Sequence, residues 1–184
     1  MKFTKIPANT FETLTVNAGI ILKHFDTSTG EVVDSDILGA TSGGISFSAV
    51  PSFKDWGEDI DNCPKNSKEL KKLEDWEITL SGSFASCGDD TMKTLLAAAD
   101  KTTKIDLRKD LAGTDFLDEL WLVADYGDTD GNFIAIKLIN ALSTGGLTLQ
   151  TADREKGKFN FTFMAHYSLA DQDKVPCEVY VSVA

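Results

Sequence analysis

The sequence predicts a mainly β domain: an antiparallel β-sandwich or barrel with one flanking α-helix. Three observations predict it: strand-like alternation in several segments, two continuous apolar runs joined by turn residues, and a single segment of helical period. The chain has 184 residues, of which 42% are hydrophobic. A chain of this length suits one domain with a substantial core, so we expect residues 1–184 to form a single domain.

Apolar residues that alternate with polar ones mark the half-buried strands. The longest example is 159–169, where Phe159, Phe161 and Phe163 share one parity. The same alternation is shorter in three other segments: 44–49, 76–84 and 177–183.

Two further segments, 119–126 and 131–142, are apolar on both parities. Continuous runs of this kind require cover on both faces of a sheet. The Gly- and Asp-rich residues between them, 127–132, predict a turn, so the two segments should form a β-hairpin. Similar turn residues predict two more hairpins, in which 146–151 pairs with 159–169 and 13–25 pairs with 31–38.

One segment has a helical period. Four apolar residues are spaced at i, i+3, i+4 and i+7, on one face of a helix: Met92, Leu95, Leu96 and Ala99. The preceding Gly-Asp-Asp at 88–90 can cap this helix, because a carboxylate accepts unpaired N–H groups at the positive helix end. We therefore expect one flanking helix.

The segment 50–66 has no period and contains two prolines and a glycine. Structureless loops longer than about 12–15 residues are uncommon in compact domains and are usually functional. As an extended out-and-back loop it would project by roughly 25 Å. It carries apolar and acidic side chains that we expect to dock on a neighbouring molecule: Phe53, Asp55, Trp56, Glu58, Asp59, Ile60 and Asp61. The alternative is that Phe53 and Trp56 fold back on their own domain.

The charge balance limits the partners. The formal net charge is −11 at pH 7, which argues against binding nucleic-acid phosphates, because such binding needs Lys and Arg.

No apolar run reaches the ~20 residues of a membrane span, and the first residues lack the apolar stretch of a signal peptide. The three cysteines, Cys63, Cys87 and Cys177, have no CxxC spacing and are expected to be reduced thiols.

The sequence contains no complete catalytic or metal-binding motif. The two histidines, His24 and His166, lie in strand patterns, and no GxSxG, HExxH, GxGxxG or P-loop motif is present. A partial match to a calcium loop at 126–137 has Lys137 where the bidentate Glu belongs. We therefore expect no enzymatic activity, no cofactor and no bound metal.

Several strings, in a fixed order, are more specific than composition. They are GATSGGISF at 39–47, DWGEDIDN at 55–62, WEITLSGSF at 76–84, NALSTGGL at 140–147, DREKGKF at 153–159 and HYSL at 166–169. Their number and order resemble the major tail tube protein of long, non-contractile-tailed phages or prophages. The resemblance covers 15–183, nearly the whole chain.

This resemblance implies a β-sandwich with a flanking helix, which is shared with type VI secretion tubes. It implies self-assembly into rings, usually hexameric, whose inner strands form one β-barrel around a lumen. Stacked rings would form the tail tube of the virion, assembled in the host cytoplasm, through which DNA passes without specific binding. In that family a loop between two early strands, here 50–66, contacts a neighbouring subunit or ring. The implied partners are other copies of the chain and the tail tip or initiator, tape measure and terminator proteins, with no membrane.

An acidic lumen would keep DNA from adhering, because carboxylates repel phosphates over about a Debye length, ~8 Å at physiological salt. The candidates for the lumen or its rim are Glu77, Glu119, Asp125, Asp128 and Asp130. The alternative for each is an ordinary solvated surface carboxylate.

Two other functions stay open on the sequence. A monomeric carbohydrate-binding or adhesin-like β-sandwich would need an exposed aromatic row, for which the candidates are Trp56, Trp76 and Trp121. A type VI tube subunit would share the fold.

Overall fold

The structure is a computed structural model that describes residues 6–7, 10, 13–14, 17–127, 130–151 and 153–182. Its elements, in chain order, are β1 (Ile20–Leu22), β2 (Thr41–Asp55), β3 (Lys71–Phe84), α1 (Asp89–Leu95), β4 (Ala99–Lys101), β5 (Ile105–Leu107), β6 (Leu117–Asp125), β7 (Phe133–Ser143), β8 (Thr148–Gln150), β9 (Lys158–Met164) and β10 (Cys177–Ser182). Short 3₁₀ turns lie at Asp34–Asp36 and Gly113–Asp115.

The long strands form two antiparallel sheets joined through β7, and β4 pairs with β5 separately. Sheet A has the order β1-β6-β7-β10, and sheet B has the order β2-β3-β9-β8. The first half of β7, up to Leu138, pairs with β10, whereas its last residues, Leu142 and Ser143, pair with β9. Between them Asn140 has a φ of 50°, and its side-chain amide donates to the carbonyl of His166 at 3.1 Å. The predicted mainly β, sandwich-like fold with one helix is confirmed.

The main core lies between the two sheets. Its largest fully buried side chains come from both of them: Phe84, Phe161 and Phe163 from sheet B, and Ile21, Leu120 and Leu138 from sheet A. A second cluster covers the outer face of sheet A, where Phe25 lies edge-on to Trp121 and Phe133. Leu120 and Trp121 are adjacent in β6 and are buried on opposite faces. The apolar run in β6 is thus covered on both sides, as predicted.

The two hairpins predicted from turn residues in the second half of the chain form. β6 pairs with β7 around 127–132, and β8 pairs with β9 around 153–157. α1 begins where predicted, with Gly88 as its N-cap and two aspartates in its first turn. The N-cap itself makes no side-chain hydrogen bond, and Oδ1 of Asp89 accepts one from the N–H of Asp90 at 3.0 Å. The helix ends at Leu95, earlier than the apolar spacing suggested, because Ala97 has a left-handed φ of 55° and Ala99 already belongs to β4.

Several predicted strands differ in extent. The segment 31–38 is not a strand, because the turn at Asp34–Asp36 interrupts it and only Ile37 forms a bridge, to Leu22. The strands predicted at 13–25 and 159–169 shrink to β1 and β9. β2 and β3 are longer than predicted, at 15 and 14 residues, because they go on pairing with each other beyond the core, as far as Asp55 and Lys71.

The prediction of a loop over 50–66 was wrong for its first part. Residues 50–55 continue β2 and pair with the opposite residues of β3 as far as Lys71. β3 pairs with β9 only from Thr79 onward. Before Thr79, β3 has β2 as its one sheet partner among the described residues, and the matching part of β2 pairs with β3 alone. They form a two-stranded arm, residues 50–77, with a tip at 56–70. Six strand residues at ~3.3 Å each extend the arm by roughly 20 Å before the tip.

Candidate assembly surfaces

One face of the arm continues the core stripe of sheet B. Directly opposed residues share a face, and this face carries four successive pairs: Phe47–Leu80, Ala49–Ile78, Pro51–Trp76 and Phe53–Leu73. Leu80 is fully buried, whereas Phe53 and Leu73 are 54% and 50% exposed. The apolar stripe therefore runs out of the core onto a surface that the described residues leave half exposed. Leu73 was missed as a candidate, although it is the one apolar residue among the charges of 71–75.

The tip adds two more exposed apolar side chains, Trp56 at 65% and Ile60 at 52%. Its acidic residues Glu58, Asp59 and Asp61 are exposed as well. Phe53 and Trp56 thus do not fold back on their own domain. Large apolar side chains at the end of a projecting ribbon are typical of an interaction surface.

Asp55, predicted as a docking residue, holds the tip together. Its Oδ1 accepts a hydrogen bond from the N–H of Gly57 at 2.9 Å, and its Oδ2 accepts one from the N–H of Asn66 at 2.8 Å. These two bonds, more than the nearby Lys71, hold the pKa of Asp55 below its usual value. The N–H of Trp56 donates to the carbonyl of Leu70 at 3.1 Å, which extends the ribbon by one residue pair.

Sheet B has two free edges within the described part of the chain. β2 pairs only with β3, and β8 pairs only with β9. In sheet A the outer edge of β1 is covered, because Leu38 N–H donates to the carbonyl of Ile21 at 3.0 Å. The four strands of sheet B alternate in direction, so β8 is antiparallel to β2. The free edge of β8 in one copy can therefore pair antiparallel with the free edge of β2 in the next, as a head-to-tail contact requires.

The face of sheet B that points away from the core is rich in hydroxyl and amide groups. Three rows of opposed residues cross it: Ser46–Ser81–Thr162, Ser48–Thr79–Met164 and Ser83–Asn160–Thr148. The hydroxyl of Ser83 donates to Oδ1 of Asn160 at 2.6 Å. Charged residues enter this face at its ends, with Lys158 opposite Gln150 and Glu77 opposite Val50.

The predicted lumen acids are not brought together. Glu77 lies on the polar face of the arm, whereas Glu119 and Asp125 lie at opposite ends of β6 on the outer face of sheet A. Asp130 is exposed in the turn between β6 and β7, and Asp128 lies outside the described residues.

Glu119 is paired within its own chain. Its Oε2 accepts from Nζ of Lys137 at 2.8 Å, and its Oε1 is hydrogen-bonded to Nδ1 of His24. Burial raises the pKa of Glu119, but the hydrogen bonds from Lys137 and His24 outweigh it and leave that pKa below its usual value. The same contact raises the pKa of His24. Asp125 accepts a hydrogen bond from the Asn17 amide. These contacts favour the interpretation of both acids as surface residues.

The three tryptophans do not form a row. Trp56 is exposed at the arm tip, Trp76 is partly buried, and Trp121 is only 3% exposed beneath Phe25. The aromatic platform that a carbohydrate-binding surface would need is therefore not built from these residues.

Among the residues that the structure describes, no group of His, Cys, Asp or Glu side chains could hold a metal ion. No helix in this part of the chain is long and apolar enough to span a membrane. All three cysteines are free thiols.

A scan of the chain against models of protein families gives no match, and a search of curated proteins gives none either.

Proposed function

We propose that this chain is a structural protein without enzymatic activity that assembles into stacked, hexameric rings. The rings would form the tail tube of a phage virion, through which the genome is ejected. The arm carries this proposal, because it projects Phe53, Trp56, Ile60 and Leu73 away from a body that cannot cover them. A second copy of the chain supplies the missing cover.

The free edges of sheet B support ring formation. If β8 of one copy pairs with β2 of the next, the exposed N–H and C=O groups of these two edges are satisfied and sheet B is continuous around the ring. Four strands from each of six copies give a barrel of roughly 24 strands, more than the 16–18 strands that already enclose an aqueous channel.

Closure of sheet B places its hydroxyl- and amide-rich face toward the lumen, because the opposite face packs on the core. Such a lining lacks the density of Lys and Arg that binds phosphates tightly. The net charge of −11 per copy adds a repulsive field. DNA would pass through this lumen without adhering. Of the predicted lumen acids, Glu77 shares this face.

The other partners belong to the same proposal. They are the tail tip or initiator, the tape measure and the terminator proteins, which meet the tube at its ends or in its lumen. The protein would be made in the host cytoplasm and reside in the virion tail.

Shortening the arm tests the proposal. Lys54 and Lys72 are directly opposed, two residue pairs before the bond from Trp56 N–H to the Leu70 carbonyl, and therefore occupy a hydrogen-bonded position of the ribbon. Residues 55–71 can thus be replaced by an Asn-Gly turn that closes the ribbon. We expect this variant to fold, by circular dichroism, but to form no long tubes by electron microscopy and ultracentrifugation. Leu107→Ser is the control, since Leu107 is 69% exposed outside the arm. Normal tubes from the shortened variant would contradict the role of the arm, and a wild-type protein that stays monomeric at high concentration would contradict the function.

A further inference from the structure

The root of the arm has a backbone donor that its own ribbon does not use. The carbonyl of Ile78 accepts from the N–H of Ala165 at 3.0 Å, on the side of β3 away from β2. Backbone groups two residues apart along a strand point to the same side, so the N–H of Trp76 also points away from β2. The ladder between β3 and β9 begins only at Thr79, so β9 supplies no strand partner for this N–H.

The hydroxyl of Tyr167 occupies the place that a longer β9 would have taken. Its oxygen accepts a hydrogen bond from the N–H of Trp76 at 3.0 Å. After Ala165 the main chain turns toward β7 instead, where the N–H of His166 donates to the carbonyl of Ile139 at 3.3 Å. The side chain of Tyr167 therefore continues the edge-on bonding of β3 by one bond, after the backbone of β9 has left.

Tyr167 is itself held by its neighbours in the chain. The carbonyl of His166 accepts from the side-chain amide of Asn140 at 3.1 Å, and Nδ1 of His166 donates to the carbonyl of Asn140 at 3.2 Å. On the other side of Tyr167, the carbonyl of Ser168 accepts from the N–H of Asp171 at 3.1 Å. Asn140 lies where β7 passes from sheet A to sheet B. Tyr167 thus links the root of the arm to the point at which the two sheets are joined.

We infer that Tyr167 is a positioning residue, whose hydroxyl fixes the orientation of the arm relative to the two sheets. A two-stranded ribbon alone is marginally stable, so its direction depends on the contacts at its root. The partly buried side chain of Trp76 packs against the main core and holds one face of the ribbon. The Tyr167 hydroxyl holds the adjacent edge.

A consequence for assembly rests on the proposed function. An arm that is already oriented in the free subunit loses less conformational entropy when it docks on another copy. Loss of the Tyr167 hydroxyl should therefore raise the concentration needed for ring formation, although Tyr167 itself belongs to the body of the subunit.

Tyr167→Phe tests the inference, because it removes the hydroxyl and keeps the ring. Tyr180→Phe is the matched control. The two tyrosines are 40% and 36% exposed, and the hydroxyl of Tyr180 also forms one hydrogen bond, to Oε2 of Glu178 at 2.6 Å in β10, away from the arm.

The first readout is the orientation of the arm, measured by NMR residual dipolar couplings on the monomer, below the concentration of ring formation. In the wild type, the backbone amides of 50–55 and 71–77 should fit the same alignment tensor as those of the two sheets. In Tyr167→Phe the arm couplings should shrink and depart from that tensor, while the couplings of the sheets stay unchanged and verify the fold. The second readout is hydrogen exchange of the Trp76 amide, which should speed up by about twofold to tenfold, as the loss of one net hydrogen bond implies.

Tyr180→Phe should give wild-type values in both measurements. Wild-type arm couplings in Tyr167→Phe would overturn the positioning role, and so would a wild-type arm that does not share the tensor of the sheets. Sedimentation of the same proteins separates this inference from the tube. If the arm of Tyr167→Phe is freed but rings form at the wild-type concentration, the positioning role stands and the role of the arm in assembly is contradicted.

Discussion

Replacing Ala49 by proline tests whether the free edge of β2 pairs with another copy. Ala49 is exposed and lies opposite Ile78 in the register of β2 and β3. The carbonyl of Ile78 accepts from the N–H of Ala165 at 3.0 Å, on the side away from β2. Ala49 and Ile78 are therefore a non-hydrogen-bonded pair, and the N–H of Ala49 points to the free edge. Proline at this position removes no hydrogen bond between the residues that the structure describes.

The expected effect on assembly follows from the hydrogen bond that is lost at each contact between neighbouring copies. A neighbour's carbonyl left unpaired costs about 1–3 kcal/mol, and about 1.4 kcal/mol is a factor of ten in an equilibrium constant. The critical concentration for ring formation should therefore rise by roughly tenfold to a hundredfold. The monomer should lose less than ~1 kcal/mol, since edge strands tolerate proline where the N–H faces solvent. The native Pro51 already occupies the next such position in β2.

Sedimentation over a series of concentrations, with electron microscopy of the same samples, measures this shift. Ala49→Ser is the control, because serine is small and keeps the N–H. If the proline and serine variants assemble at the same concentration, the edge of β2 does not pair between copies at Ala49.

Three further outcomes are expected. Phe163 is fully buried between the sheets, so Phe163→Ala should lower the free energy of unfolding in urea by about 3–5 kcal/mol. Glu119→Gln should lower the pKa of His24 toward its usual value in an NMR titration. Because that pKa is raised in the folded protein, the pair stabilises the fold below the unfolded-state pKa of His24, and the gain is lost as pH rises through the folded-state value. Burial, with a smaller effect of Glu178, raises the pKa of Cys177 to about 11, so its thiol should react slowly with a disulfide reagent at pH 8 until urea unfolds the chain.

The sequence predicts best the elements whose signal is local. The hairpin of β6 and β7 was predicted because Gly127 and Gly131 bracket a polar turn between two apolar runs, and both glycines have positive φ. The N-terminal start of α1 was predicted for the same reason, since its cap and first turn are contiguous in the chain.

The arm shows where local patterns stop being informative. A loop was predicted over 50–55 because Val50 and Pro51 interrupt the alternation of β2, and proline is uncommon inside strands. The exposed stripe of the arm became visible only in the register that sets Phe53 opposite Leu73.

The surface charges were predicted least well for a related reason. Glu119 meets His24 and Lys137 only because β6 lies beside β7 and close to the chain that follows β1. Contacts that join distant parts of the sequence leave no spacing from which they could be inferred.

The strand β7 belongs to both sheets, which has a mechanical consequence. In a sandwich joined only by side-chain packing, one layer can slide over the other. Here a covalent backbone crosses from layer to layer at Asn140, and the bond to His166 braces that crossing. A slide of one layer over the other would therefore strain the main chain of β7 at this crossing. In the proposed tube, such a subunit would carry part of an axial load along its main chain.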